Sequence, residues 1–243
     1  MKYQHVIEGV FVSRPNRFIA HVNIDGIDTV CHVKNTGRCK ELLVPGARVY
    51  LSVSDNPNRK TKHDLIAVRK GQRLINMDSQ IPNDAAGEYL RKLYPDALDL
   101  RREYTHGDSR FDWHLVLPDG ELFVEVKGVT LEREGHLYFP DAPTDRGRKH
   151  LRGLMCCVEE GHRAMVLFVA QMRDVTAFSP NRDTDPLFAD ALAEARNRGV
   201  TVKCVRCDVT PDEMVIVDGD VPVVLGDSGV DVGDSIPKPQ QGA

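Results

Sequence analysis

The stretch Arg110–Leu131, RFDWHLVLPDGELFVEVKGVTL, reads as two β-strands joined at Asp119-Gly120, a dipeptide suited to a tight type I′ hairpin turn. With a two-residue turn there, Trp113 faces Val126, Leu115 faces Val124 and Leu117 faces Leu122, so three apolar pairs share one side of the sheet. The other side then sets Asp112 opposite Lys127 and His114 opposite Glu125. A three-residue turn would put Asp112 opposite Val126 and mix the faces, which argues against it. Two carboxylates and a lysine thus gather on one face of a hairpin whose other face is apolar. Such a face suits a divalent cation held beside a proton-transfer group.

An acid, a dozen residues, then Glu-x-Lys is the pattern of the PD-(D/E)xK nucleases. The spacing alone fits equally well an exposed strand with Asp112–Lys127 as a surface ion pair worth ~0–1 kcal/mol. The flanking residues weigh in favour of the first reading. RFDWHLVL, FVEVKGVTL and YFPDAPTDRGRKHLRGLM resemble three segments of the sugar fermentation stimulation protein A family, R-x-D-F, E-V-K-x-V-T-L and F-P-D-A-x-T-x-R-G-x-K-H-L. Further upstream, NTGRCKELLVPGARVYLSVSDNPNRKTKHDL resembles the family's N-T-G…P-G…S-D-N…R-K…H pattern. The resemblance runs from about Val6 to about Leu225. It implies an α/β protein: an OB-fold-like β-barrel followed by a PD-(D/E)xK nuclease-like mixed-sheet domain with flanking helices. It also implies DNA binding and a link to sugar (maltose) catabolism.

At 243 residues and 27.2 kDa, the chain can hold two modest domains and bury their cores without staples. Residues 1–80 carry 13 Lys/Arg against 7 Asp/Glu, a net of +6, leaving −10 for the rest of a chain whose formal total is −4. A basic first domain suits a polyanion. The start MKYQHVIEG is too polar for a signal peptide, and the longest apolar run, Ala164–Ala170, is too short to span a bilayer. The expectation is a cytoplasmic protein with no membrane partner and with reduced cysteines. Cys204 and Cys207 have C-x-x-C spacing, but the only other cysteine pair, Cys156-Cys157, lacks ligand spacing, so ordinary cysteines are expected.

Residues 1–82 contain five short alternating segments, beginning near Val6, Arg17, Asp28, Ala47 and His63, which fit the barrel. Such barrels bind single strands through a basic groove with stacking aromatics. Arg14, Arg17, Lys34, Arg38, Lys40, Arg59, Lys60 and Lys62 are the groove candidates. Phe11, Phe18 and Tyr50 alternate as core residues would, and Asn35-Thr36-Gly37 reads as a turn. The polar stretch Ile75–Asp84, with Pro82 and Asn83, reads as the domain boundary.

In residues 83–225, Asn83 or Asp84 can cap a helix through Ala85–Leu93, from which Glu88 is a candidate additional metal ligand. A strand at Asp99–Tyr104 precedes the hairpin, with Glu103 expected to pair with Arg101 or Arg102. Asp141-Ala142-Pro143-Thr144 starts a second helix, with Leu151, Leu154, Met155 and Val158 as its buried stripe and Gly161 as its end. Arg146, Lys149 and Arg152 share a side of that helix and could guide phosphate. His150 beside them is a proton-transfer or packing residue. A buried strand (Arg163–Ala170), a helix (Pro186–Asn197), a strand (Val200–Val209) and a hairpin about Asp218-Gly219 follow. Residues 226–243 are Gly-, Pro- and Asp-rich and read as a disordered tail.

The expected chemistry is phosphodiester hydrolysis with low sequence specificity. Asp112 and Glu125 hold Mg²⁺ or Mn²⁺, with the Val126 carbonyl assisting, and Lys127 orients the attacking water or stabilises the transition state. A non-cleaving DNA-binding regulator of sugar catabolism on the same fold is the alternative. A sugar-binding role finds little support, with Trp113 the only tryptophan. The strandedness of the DNA and the formation of a homodimer stay open.

Overall fold

The computed structural model describes residues 1–35 and 37–226. Thr36 and, apart from Gly226, the segment read as a tail lie outside them. Among the described residues no helix is long and apolar enough to cross a membrane.

The alternating N-terminal segments form β1 (Val6–Asn16), β2 (Ile19–Ile24), β3 (Ile27–Val33), β4 (Arg48–Val53) and β5 (His63–Lys70). They run in the order β3-β2-β1-β4-β5, and parallel pairing of His32 with Asp64 and of Val33 with Leu65 closes β3 onto β5. This is a five-stranded barrel of OB type; β6 (Arg73–Asn76) extends β5 as a hairpin. Phe11, Val22, Cys31, Val33, Leu51, Leu65 and Val68 fill its interior. Tyr50 is also buried, but Phe18 is 51% exposed rather than a core residue.

The second unit is a six-stranded mixed sheet with the order β15-β14-β12-β9-β8-β7. Its strands are β7 (Asp99–His106), β8 (Ser109–Leu117), β9 (Gly120–Val129), β12 (Arg163–Ala170), β14 (Thr201–Val209) and β15 (Met214–Asp220). Helix α1 (Ile81–Leu93) covers one face; α2 (Asp145–Glu159) and α3 (Pro186–Asn197) cover the other. Between β9 and α2, β10 (Leu131–Arg133) and β11 (His136–Phe139) form a hairpin, joined in parallel by β13 (Ala177–Pro180). The sequence reading contained no trace of this small sheet, because its strands are only three or four residues long.

Several local expectations need correction. The β8–β9 turn is Pro118-Asp119, with Leu117 opposite Gly120, Leu115 opposite Leu122 and Trp113 opposite Val124. Pro118 presets the φ of a first turn position and so competes with Asp119-Gly120 for the corner. The register shifts by two, which preserves the faces but moves every partner: His114 sits opposite Phe123, not Glu125. Helix α1 starts at Ile81, with Pro82 inside its first turn and Gln80 at the N-cap, so neither Asn83 nor Asp84 caps it. Asn76, Met77 and Asp78 are at most 1% exposed, so the polar boundary is a buried seam. Asp141–Pro143 precede α2, whose cap is Thr144, with its hydroxyl accepting from Gly147 N. β15 pairs with β14 and makes no hairpin about Asp218-Gly219. Cys204 and Cys207 lie on opposite faces of β14, in separate cores, so they do not share a ligand site.

Helix α1 lies unusually close to the hairpin. The indole Nε1 of Trp113 donates to the Asn83 carbonyl at 3.1 Å, and a Cβ on Gly87 would sit 2.3 Å from the Trp113 ring. Glycine inside a helix ordinarily costs about 1 kcal/mol relative to alanine, so Gly→Ala should normally stabilise. Here the rigid ring lies where the methyl would go, and overpacking of that kind costs about 1–3 kcal/mol. Gly87→Ala is therefore expected to lower the urea midpoint; a raised midpoint would contradict this packing.

Candidate metal centre and cleft

β8 changes face at Asp112. Phe111 lies in the core under α2, whereas Trp113, two residues on, lies in the core under α1. Across from this point Glu103 has a φ of 52°, so both strands are irregular at the level of Asp112. The carboxylate turns towards β9, where Oδ2 accepts from Val126 N at 2.8 Å, and Oδ1 accepts from Asn83 Nδ2 of α1 at 2.7 Å.

Glu125 is 2% exposed. Its Oε1 accepts from Lys127 Nζ at 2.5 Å and is hydrogen-bonded to His150 Nδ1 of α2. Lys127 and His150 are themselves 3.4 Å apart. Oε2 of Glu125 is buried with no partner, as is Oδ1 of Asn83. Burial pushes the Glu125 pKa up, but the His150 hydrogen bond and the Lys127 charge outweigh it and hold the carboxyl below the usual range. Asp112 goes the other way: burial first, and then the Glu125 charge, raise its pKa against the opposing hydrogen bond from Val126.

These groups open into a cavity of about 180 Å³ lined also by Ser79, Pro82, Gly128 and Arg146. A second hollow, of about 330 Å³, shares Ser79 and Gly128 with it and extends past Asn35, Gly37, Pro140 and Asp141. Gly128 has to be small there, since a Cβ would lie 2.5 Å from Gln171 Oε1 and 2.8 Å from Pro82 Cγ. The donor set fits a hard divalent cation: two carboxylates side by side, one buried oxygen of each of Glu125 and Asn83 unpaired, and a polar cavity.

The remaining candidates separate into two groups. Glu88 is not in this cluster; it is 51% exposed and meets the amino terminus at 3.2 Å, and α1 reaches the site through Asn83 instead. Glu103 faces Arg110, while Arg101 and Arg102 pair with Asp99 and Asp84. Arg14 donates to the carbonyls of Asn35, Gly37, Arg38 and Arg17, so it braces the Asn35–Gly37 turn and is not a free cation. Lys34 is tied to buried Asp78 at 2.6 Å, and Arg59 grips Asp64 with both terminal nitrogens. Arg17, Arg38, Lys40, Lys60, Lys62, Lys149 and Arg152 are exposed. Arg17, Arg38 and Lys40 line one groove on the barrel, and Arg146 reaches the cavity beside Asp112 and Glu125, with its Nε 3.4 Å from His150 Nε2.

Sequence reasoning missed Asn83 as a partner of Asp112, and left His150 undecided. It also missed Asp141, whose Oδ2 accepts from Arg38 N and so clips the barrel turn to the loop before α2. No sequence signal marks Arg148, which holds Asp185, the α3 cap, in two hydrogen bonds. The Lys149-His150 match to the family motif was the one available signal for His150.

A closed five-stranded barrel followed by a helix-flanked mixed sheet, with an acid–acid–lysine group at its central hairpin, defines a two-domain OB-plus-α/β protein. Residues 12–77 match the model of the SfsA N-terminal OB domain, and residues 80–213 that of the sugar fermentation stimulation protein RE domain. The sugar fermentation stimulation protein homolog of Desulfitobacterium hafniense is 54% identical over 215 residues, covering 88% of this chain and 94% of the relative. That of Clostridium beijerinckii is 50% identical over 220 residues, covering 90% and 97%. The structure of Pyrococcus furiosus SfsA in complex with Ca²⁺ superposes with a TM-score of 0.81 at 27% identity, covering 92% of this chain and 98% of that one. The chain belongs to the sugar fermentation stimulation protein family.

The raised Asp112 pKa carries a stability consequence. While ionised, the Asp112 carboxylate costs stability; the cost is present above its raised folded pKa and is relieved as the pH falls through that value. In metal-free protein, Asp112→Asn should therefore be more stable than wild type at pH 7–8, the new amide donating to the free Oδ1 of a flipped Asn83. The advantage should shrink as the pH falls towards the ordinary carboxylate range. Urea midpoints measured in chelator against pH check this, and a variant less stable at pH 8 than wild type would contradict it.

Proposed function

We propose that the chain is a divalent-metal-dependent nuclease that hydrolyses phosphodiester bonds in DNA with low sequence specificity. The observation that carries this reading is the buried Glu125, with one oxygen clamped by Lys127 and His150 and the other left unpaired beside Asp112. A purely structural ion pair would leave no such oxygen, and a phosphate-binding surface gains nothing from two adjacent carboxylates. The Pyrococcus furiosus relative is described in complex with Ca²⁺, another oxygen-seeking cation, which supports a metal at a carboxylate site.

Asp112 and Glu125 are the residues that would hold Mg²⁺ or Mn²⁺, and the ion supplies charge neutralisation and a more acidic bound water. Lys127, 16% exposed, pairs with Glu125 and presents a point charge towards the cavity where negative charge builds up on phosphate. His150, between Glu125 and Arg146, can accept or release a proton at Nε2 while Nδ1 stays on the carboxylate. Arg146 guides the backbone into the cavity, and the exposed Arg17, Arg38 and Lys40 of the barrel extend the basic track.

The test is cleavage of labelled single- and double-stranded DNA with Mn²⁺, Mg²⁺ or chelator, comparing wild type with Lys127→Ala. Metal-dependent cutting by wild type, reduced on the order of 10²–10³-fold in Lys127→Ala, is the expected result. Salt-sensitive binding by both proteins with no cutting by either would replace the nuclease with a DNA-binding regulator on the same fold.

A further inference from the structure

A second group of metal-binding side chains lies at the far end of α2 from Arg146 and His150. His106 ends β7, Glu160 caps α2, and His162 immediately precedes β12. One ligand atom from each falls within 4.8 Å of the other two. His106 Nε2 already meets Glu160 Oε2 at 2.5 Å, and the His106 and His162 rings stand perpendicular with centroids 5.6 Å apart. Both rings pack against buried Phe123, at 4.7 and 5.4 Å. That packing restricts each imidazole, and one ring nitrogen of each faces the shared space.

Two further observations point to a cation. Helix α2 ends on Glu159-Glu160 with no basic residue in its last turn, although a helix C-terminus favours positive charge. Arg198 answers Glu159 at 2.5 Å, whereas among the described residues Glu160 pairs with His106 alone. Behind the cluster, Glu121 Oε2 lies 3.9 Å from His162 Nδ1 and 3.3 Å from His114 Nε2. A carboxylate behind an imidazole is the arrangement that orients a metal-bound histidine. His114 is 3% exposed, stacks on Tyr104 and keeps an unpartnered buried Nδ1, so this backing is fixed from below.

We propose that His106, Glu160 and His162 form a second metal site, for a transition metal of the zinc class. Two imidazoles and one carboxylate select such ions over Mg²⁺ or Ca²⁺, which prefer all-oxygen shells. Bonds of about 2.0–2.2 Å to a tetrahedral ion set the donors about 3.3 Å apart, which small rotations of these part-exposed side chains reach. Three protein ligands leave one position for water. The ion ties the end of β7 to the α2–β12 turn, and its site is distinct in residues and in ligand chemistry from Asp112 and Glu125.

Co²⁺ is the probe, because its visible absorption reports nitrogen ligation. It would be titrated into the full chain and into Asp112→Asn, His106→Gln, His162→Ala and Glu160→Gln. The expected result is a band saturating at one equivalent in wild type and Asp112→Asn, erased by Zn²⁺ but not by a hundredfold excess of Mg²⁺. Each variant of the three ligands should bind at least tenfold more weakly. Glu160→Gln, at an exposed helix end, keeps the fold if either histidine variant loses it. Equal affinity in Glu160→Gln and wild type, displacement by Mg²⁺, or loss of the band in Asp112→Asn would overturn the proposal.

Discussion

The arrangement depends on holding two carboxylates, Asp112 and Glu125, close together and largely out of water. Each would rather be solvated, and each raises the cost of ionising the other. The protein meets that cost with different partners for the two. Glu125 is bonded to Lys127 on its own strand and to His150 on α2, and its pKa is held below the usual range. Asp112 receives only neutral donors, Val126 N and the Asn83 amide, and its pKa stays high. Both helices reach the hairpin near their N-terminal ends, α1 through Asn83 and α2 through Arg146 and His150, where the helix dipole favours negative charge.

This asymmetry has a chemical use. Under the proposed function, a carboxylate already locked by Lys127 and His150 would serve as a fixed ligand, while one held by neutral donors would respond to an arriving ion. In the proposed site, the unpaired oxygens of Glu125 and Asn83 would let an ion bind without breaking an existing bond. The close fit of Gly87 against Trp113 and of Gly128 against Pro82 and Gln171 keeps α1 tight on the hairpin, so the donors hold their places. The barrel is joined to the sheet by a buried polar seam: Gln171 donates to Asn76 and to the Asp78 carbonyl, and Lys34 pairs with Asp78. The cleft between them is therefore built by both halves.

Much of this was legible in the sequence, because strand alternation and helical stripes report faces directly. The β12 strand and the α3 helix match their expected spans, and Leu151, Leu154 and Met155 are buried as the stripe required. The apolar face of the hairpin also stood from Trp113 onwards, since a two-residue slip preserves parity, whereas β8 changes face at Asp112. The partner across the hairpin did not, because Pro118 and Gly120 both signal a turn and local propensity does not rank them. Lys34, Arg14 and Arg59 show a second limit: a basic residue looks the same in sequence whether it meets phosphate, a buried acid or backbone carbonyls. Glu88 and Asn83 show a third, since one helical position decides which side chain reaches the site, and that depends on where α1 begins.

The most direct test of the central claim is calorimetric titration of Mn²⁺ into wild type, Asp112→Ala and Glu125→Ala, with folding verified by circular dichroism. Imidazole-containing competitor sites are first masked with one equivalent of Zn²⁺. The account requires a Mn²⁺ site in wild type that weakens at least tenfold in each variant while the fold persists. Unchanged Mn²⁺ affinity in both variants would show that the hairpin carboxylates do not hold the ion.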